Sequence, residues 1–326
     1  MNEITKVDAS FEKRRELQAV IDKFLRSLDV KPNSIRTYAR GLKQFAEWLN
    51  AQGDIPLTRE SILAYKNYLH AKNVSALTIS NYLVAVRRLF EFTEAEKIFP
   101  NIAKNIKGCK RARSFRKDPL TIEQVHSLLN SFNLSSKDDL RNFAIVNLLL
   151  RAGLRTIELV RADLGDISQQ AGEAVLWVQG KNCDTKDQFV LLTEASLKPI
   201  RDYLASRGSV KEADPLFVSH SDRNKNKRLT TRSISRIVKE QLKKIAINDP
   251  RLTAHSLRHT AITLALQGGA TLQEAQALGR HQDISVTLIY AHNTHRVRDA
   301  AEKKIDAILS RGLNDGNQTA QQGGHV

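Results

Sequence analysis

The side chains best suited to chemistry lie near the C-terminus, in residues 253–292. His255 and Arg258 are three positions apart, so they share one face if that segment is helical. The apolar pattern predicts one amphipathic helix from there to His281, and Tyr290 follows nine positions later. A cationic cluster beside a phenol indicates an anionic target and an oxygen nucleophile.

A phosphodiester is an anion that these residue types fit. Arginine binds a phosphate through two hydrogen bonds in a fixed plane. Arg155 and Arg258 together could hold both non-bridging oxygens and offset the charge of a pentacoordinate transition state, each contributing about 3–4 kcal/mol by analogy with oxyanion-hole donors. Taken alone, Arg155 would more simply form a surface ion pair with Glu158.

The candidate nucleophile, Tyr290, and the candidate proton donors, Lys181 and Lys186, could each have an ordinary structural role instead. A phenol with a pKa of about 10 is a poor nucleophile unless cations lower that pKa and a histidine accepts its proton. Without such neighbours, Tyr290 is a core tyrosine at the end of a helix. The leaving oxygen needs a proton, which Lys181 or Lys186 on the predicted hairpin loop 180–187 could supply, although either could be an ordinary turn lysine.

The pair of histidines in H-S-L-R-H resembles a zinc site, because His259 follows His255 by four positions. The hydrolase version of that motif needs Glu directly after the first His, where this chain has Ser256. An arginine on the same face also opposes a metal ion. We therefore predict neither a metal nor a cofactor.

The charge balance favours a polyanionic partner, nucleic acid before a membrane surface. The 326 residues include 51 Lys+Arg against 35 Asp+Glu, a net charge of +16; the alternative is charge that serves solubility alone. No apolar run reaches the ~18 residues of a membrane span, and the N-terminus lacks a signal-peptide core. Two cysteines without paired spacing, Cys109 and Cys183, predict a disulfide-free cytoplasmic protein.

Helical periodicity predicts a four-helix unit in residues 11–100, followed by a linker at 101–118 that is dense in cations. The linker is either a solvated connector or a segment that contacts DNA, since clustered cations repel one another unless an anion passes nearby. The predicted DNA contacts in these two segments are Arg36, Arg40, Lys43, Arg87, Arg88, Lys107, Lys110, Arg111 and Arg113.

Residues 119–310 predict an α-rich second domain. Thr121 and Gln124 form a capping box at its start. Two short strands, Ala174–Gln179 and Gln188–Leu192, predict an antiparallel hairpin. Further DNA contacts are placed at Lys186, Arg232 and Arg236. Residues 1–10 and the polar tail 311–326 are predicted to be flexible.

The motifs in this order resemble those of the tyrosine recombinases, or lambda-integrase family, over residues 11–310, and most closely the Xer-type and mobile-element members. A-G-L-R-T-I-E-L resembles the first arginine box, and Q-G-K-N-C-D-T-K-D-Q-F-V-L-L the hairpin with the catalytic lysine. H-S-L-R-H-T resembles the H-x-x-R box, L-G-R-H the L-G-H box with Arg280 intervening, and I-Y-A-H the nucleophile box. The resemblance implies these catalytic positions: Arg155, Lys181, His255, Arg258, His281 and the nucleophile Tyr290, with Glu158 in support.

The resemblance also implies a role for each position. Tyr290 attacks the scissile phosphate and forms a 3′-phosphotyrosyl link, while Lys181 protonates the 5′ oxygen. Arg155 and Arg258 hold the phosphate. The two histidines assist, His255 in proton transfer and His281 by donating a hydrogen bond. The loop is longer than usual, so Lys186 remains a second candidate for the general acid.

The implied fold is a four-helix, SAM-like core-binding domain followed by a mainly α catalytic domain with a small antiparallel sheet, the DNA breaking-rejoining fold. The implied partner is double-stranded DNA with inverted-repeat core sites, bound by a homotetramer of chains that are monomers or weak oligomers when free. The helix at 296–309 would dock on a neighbour, and the two domains would clamp DNA about the linker.

With about ten residues before the first helix, no arm-type domain is expected. We expect a protein of the bacterial nucleoid. Two rival functions remain, a type IB topoisomerase and a catalytically silent DNA-binding regulator. The sequence does not distinguish integration from excision, inversion or dimer resolution, because all share one chemistry.

Overall fold

The computed structural model describes residues 16–53, 55–110, 119–180 and 183–290, with six helical positions between 302 and 309. The chain divides into two compact units, Met1–Arg113 and Ser114–Val326. The following predicted features lie outside the described residues: both flexible ends, most of the helix at 296–309, Arg111, Arg113 and Lys181.

Four helices form the described part of the first unit, as predicted. They are α1 (16–27), α2 (Pro32–Ala51), α3 (Arg59–Ala71) and α4 (Ala76–Ala95). Proline is tolerated at the start of α2 because the first N–H of a helix has no intrahelical acceptor. Stacked and edge-on rings fill the core, with the Phe45 and Tyr65 centroids 5.1 Å apart.

The first unit extends past its predicted end at residue 100. Ala103 and Ile106 are almost completely buried in its core. Lys66 donates a hydrogen bond to the carbonyl of Lys107 at 2.9 Å, and Arg59 donates one to that of Lys104. These two apolar positions, three residues apart, stand among many cations and were therefore assigned to the linker. They pack part of the predicted linker onto the helices.

Helices and one small sheet form the described part of the second unit. The helices are α5 (Ile122–Asn130), α6 (Lys137–Ala152), α7 (Thr156–Arg161), α8 (Glu194–Arg207), α9 (Thr231–Lys244), α10 (Ala254–Gln267) and α11 (Leu272–Gly279). Residues 284–290 are also helical and are called α12. Helix α6 is buried along most of its length and packs against α8 and α10, so it is the centre of the second core. None of the described helices is long and apolar enough to cross a bilayer.

The sheet has three antiparallel strands in the order β1 (Ile167–Gln170), β2 (Glu173–Val178) and β3 (Gln188–Leu191). The predicted hairpin is confirmed, with Val178 paired to Gln188 across the loop. Strand β1, with the sequence I-S-Q-Q, was not predicted because three of its four residues are polar and exposed. That strand pairs with β2, at the edge of the sheet.

The single helix predicted from His255 to His281 is wrong. The chain breaks between α10 and α11, where Gly269 has φ +93°, a conformation that side chains with a Cβ disfavour. Thr271 then begins α11 with a capping box that it forms with Glu274. This break turns the chain so that the end of α11 returns to the start of α7.

Candidate active site

Arg258 lies at the centre of the second unit and is 2 % exposed. One guanidinium nitrogen donates to the carbonyl of Gly153 at 2.6 Å, just beyond α6, and another to that of Gly279 at the end of α11. Burial, and then the charges of Arg155 and Arg280, lower the pKa of Arg258 to about 9. The guanidinium is therefore still charged at neutral pH.

Glu158 is the carboxylate that organises the other arginines, and it is fully buried. Its Oε1 accepts from Arg155 Nη1 at 2.6 Å, and its Oε2 accepts from Arg280 Nη2 at 2.8 Å. Burial raises the pKa of Glu158, but the charges and hydrogen bonds of Arg280 and Arg155 outweigh it, so the pKa is lowered. The Arg155–Glu158 pair is thus part of a buried network and not the surface pair that the sequence allowed.

Arg280 is a site residue that the sequence analysis did not select. It has φ +47°, and its guanidinium also donates to Gly153 O at 2.9 Å and to Leu278 O at 2.8 Å. Its own carbonyl accepts from Arg155 Nη2 at 3.1 Å. The only signal in the sequence was an arginine between the glycine and the histidine of the L-G-H pattern.

His281 and Tyr290 face each other across the turn between α11 and α12. Their rings stack with centroids 5.9 Å apart. His281 Nδ1 lies 2.9 Å from the hydroxyl of Thr287, a fully buried residue that the sequence analysis also missed. Burial, followed by the charges of Arg258 and Arg155, lowers the pKa of His281 to about 4, so the imidazole is neutral at neutral pH.

The phenol of Tyr290 is 4 % exposed and lies among histidine rings. His259 lies 5.2 Å away, centroid to centroid, and His255 contacts His259 edge-on at 4.5 Å. Burial raises the pKa of Tyr290 to about 12, although Arg258 and Arg155 act in the opposite direction. The isolated protein therefore holds this phenol protonated at neutral pH.

The fold brings five of the six predicted catalytic positions into one cluster; Lys181 lies outside the described residues. Arg155, Arg258 and His255 all act electrostatically on the imidazole of His281. Among the described residues of this cluster, three guanidiniums face the buried carboxylate of Glu158, which leaves an excess of two positive charges. Such a group can stabilise a phosphate and the further charge of its transition state.

Both parts of the chain match known protein families. Residues 119–296 match the Phage integrase family, and residues 21–97 match the N-terminal SAM-like domain of phage integrases. The chain belongs to the phage integrase family. The match to the family spans more than half of the chain, and the predicted two-domain recombinase fold is confirmed.

Similar proteins of this family carry the name tyrosine recombinase. XerD of Halalkalibacterium halodurans is 32 % identical over 280 residues, covering 82 % of this chain and 89 % of that protein. XerC of Herpetosiphon aurantiacus is 29 % identical, with 85 % and 91 % covered. The resemblance inferred from the motifs is thereby confirmed.

Solved structures show the same fold at lower identity. The XerH recombinase bound to palindromic difH substrate has a TM-score of 0.68 at 21 % identity, covering 92 % of this chain and 89 % of that one. The Tn1549 transposon integrase in complex with transposon right-end DNA has a TM-score of 0.65 at 18 % identity, covering 90 % and 99 %.

Lys186 does not join the cluster of this phage integrase. Its ammonium lies 2.8 Å from Asp163 Oδ2 and 2.6 Å from Asp166 Oδ2. Burial lowers the pKa of Lys186, but the hydrogen bonds to both aspartates outweigh it and raise the pKa. These contacts favour an anchoring role over proton donation, which leaves Lys181 as the candidate for the general acid.

The cations predicted to bind DNA are mostly exposed. Arg36, Arg40 and Lys43 form a stripe along one face of α2, since their spacing of four and three residues keeps them on that face. Arg88 is exposed and pairs with Glu91 at 3.3 Å, while Arg87 is half-buried. Exposed cations also occur at Lys107, Lys110, Arg232 and Arg236.

Replacing Glu158 tests the buried network. The Glu158→Gln variant should lose about 3–5 kcal/mol of the free energy of unfolding, because it leaves the buried Arg280 and the partly buried Arg155 without their counter-charge. Urea denaturation followed by circular dichroism measures this loss. The control is Glu194→Gln, which removes an exposed partner of Arg201 and should change stability by less than about 0.5 kcal/mol. A loss at Glu158 no larger than that of the control would contradict the network.

Proposed function

We propose that this protein is a site-specific DNA recombinase that cleaves and rejoins strands through a 3′-phosphotyrosyl intermediate. The observation that carries the proposal is the phenol of Tyr290 beside a neutral imidazole, in a buried group with an excess of positive charge. The names of its relatives, tyrosine recombinases XerD and XerC, favour recombination over DNA relaxation or silent regulation.

In the proposed cleavage step, the phenolic oxygen of Tyr290 forms a bond to the scissile phosphorus as the bond from phosphorus to the 5′ oxygen breaks. The phenolic proton passes towards His255, and Lys181 donates a proton to the departing 5′ oxygen. A base is needed because the pKa of Tyr290, about 12, keeps the phenol protonated before the reaction. Two protons therefore move, one from the nucleophile and one to the leaving group.

Charge stabilisation falls to the arginines. Arg155 and Arg258 are proposed to contact the non-bridging oxygens, where negative charge grows in the transition state. The hydrogen bonds of these two arginines to Glu158 and to backbone carbonyls fix the orientation of their guanidiniums before substrate binds. A preorganised guanidinium does not need to reorient during the reaction, which is the main advantage of a protein site over water.

His281 is proposed to donate a hydrogen bond to the same phosphate. With its pKa near 4, the ring carries one proton at neutral pH. If Nδ1 accepts from the hydroxyl of Thr287, that proton is on Nε2, which is the donor that the role requires. A neutral donor also adds no further charge to a site already rich in guanidiniums.

The covalent link conserves the energy of the broken bond, so a 5′ hydroxyl from a second strand can reverse the step without ATP. Strand exchange then proceeds through a Holliday junction. We propose double-stranded DNA with inverted core sites as the partner and a homotetramer as the active assembly. Solved complexes of XerH, lambda integrase and the Tn1549 integrase with DNA support the partner.

The Tyr290→Phe variant tests the nucleophile. It should bind DNA with unchanged affinity and form no covalent complex, since only the attacking oxygen is removed. The substrate is a duplex selected from a random-sequence pool by binding to the protein and then nicked next to the cleavage site, so that cleavage releases a short fragment and traps the adduct. A denaturing gel measures the adduct. The control Tyr68→Phe, at an exposed tyrosine of the first unit, should trap DNA normally, and adduct formation by Tyr290→Phe would refute the assignment.

The stripe on α2 can be tested through its salt dependence. Replacing Arg36, Arg40 and Lys43 by Gln should weaken DNA binding and reduce the slope of log K against log salt by about 0.9 for each phosphate that these cations neutralise in the wild type. Fluorescence anisotropy at several salt concentrations measures both quantities. The matched control removes the same charge elsewhere on the first unit, at the exposed residues Arg26, Lys72 and Lys97. Equal salt slopes in the two triple variants would mean that the stripe contacts no more phosphates than the control cations do.

A further inference from the structure

The loop between β2 and β3 is held at both ends by side chains. At its start, Arg161 Nη1 donates to the carbonyl of Gly180 at 2.7 Å, directly before Lys181. At its end, Lys186 Nζ lies within 2.8 Å of Asp163 Oδ2 and of both carboxylate oxygens of Asp166. Both anchors join the loop to the segment from the end of α7 to β1.

The segment that receives Lys186 is itself fixed. Arg228 donates to Asp163 and to the carbonyls of Val160 and Ala162, the latter two at 2.8 and 3.1 Å. Asp166 Oδ2 also accepts from the backbone N–H of Asp163 at 2.7 Å. These contacts fix the two carboxylates on the segment between α7 and β1, where they provide an anchor for Lys186.

The geometry of Lys186 is that of an anchor. An ammonium has three N–H donors, and three carboxylate oxygens lie within hydrogen-bond distance of Nζ. All three donors can thus be satisfied within the protein. Partly exposed ion pairs add little to stability, which leaves the position of the loop as the main consequence of these contacts.

We propose that Lys186 and Arg161 are positioning residues, which fix the two ends of this loop so that Lys181 reaches the 5′ oxygen as the bond to phosphorus breaks. The inference rests on the proposed function, in which Lys181 is the general acid. A misplacement of about 1 Å in such a site can cost about 100-fold in rate. Neither residue contacts the substrate in this account.

The test compares two DNA substrates that differ in their need for a proton. In one, the bridging 5′ atom is oxygen; in the other it is sulfur, whose thiol pKa of about 8.5 lets it leave without protonation. Lys186→Met should cleave the oxygen substrate about 10- to 100-fold more slowly than wild type. It should cleave the sulfur substrate within about threefold of the wild-type rate, because the general acid is not needed there.

Three further variants define the role. Lys186→Arg keeps the ion pairs but cannot release a proton at neutral pH, so a positioning role predicts near-normal cleavage of the oxygen substrate. Arg161→Met, like Lys186→Met, should cleave the oxygen substrate slowly and the sulfur substrate at a near-normal rate. It serves as the test if Lys186→Met does not fold. Lys198→Met, which removes an exposed ion pair with Asp202 in the same unit, should match wild type on both substrates.

Each contrary result overturns the inference. Equal loss on both substrates, or no loss at all, would show that the anchors do not act through the general acid. An inactive Lys186→Arg whose activity returns with sulfur would make Lys186 the proton donor itself. Failure of the proposed function is separate, because the wild-type protein would then cleave neither substrate. Failure of the general-acid assignment alone would leave Lys181→Ala defective on the sulfur substrate while wild type cleaves both.

Discussion

The site depends on one buried carboxylate. Glu158 has no exposed surface, and it holds Arg155 through one oxygen and Arg280 through the other. Burying an ion is unfavourable unless partners and hydrogen bonds offset its lost hydration. Here the partners outnumber the carboxylate, since Arg258 lies in the same group. The group is therefore short of negative charge, and a phosphodiester would supply it.

Helix ends place these cations. Arg258 and Arg280 donate to carbonyls at the C-terminal ends of α6 and α11, namely those of Gly153, Leu278 and Gly279. Such carbonyls have no intrahelical donor and carry the negative end of the helix dipole, so guanidiniums are favoured there. The glycine break after α10 brings the end of α11 into reach. The packing of these helices thus fixes the orientation of the two guanidiniums.

Local signals predicted much of this structure. The spacing of His255 and Arg258, the capping box at Thr121 and the hairpin of β2 and β3 follow from short stretches of sequence. Contacts between distant positions did not follow. Arg280 meets Glu158 across 122 residues, and no local pattern signals that pair. The polar strand β1 is likewise formed by pairing with β2 and not by its own composition.

The central claim is that the arginines act on the negative charge of the scissile phosphate. The most direct test measures cleavage of a duplex in which a methylphosphonate replaces that phosphate and removes one charged oxygen. The account predicts that Arg155→Ala lowers the cleavage rate about 100-fold or more on the normal phosphate and much less on the neutral one. An equal loss on both substrates would contradict it.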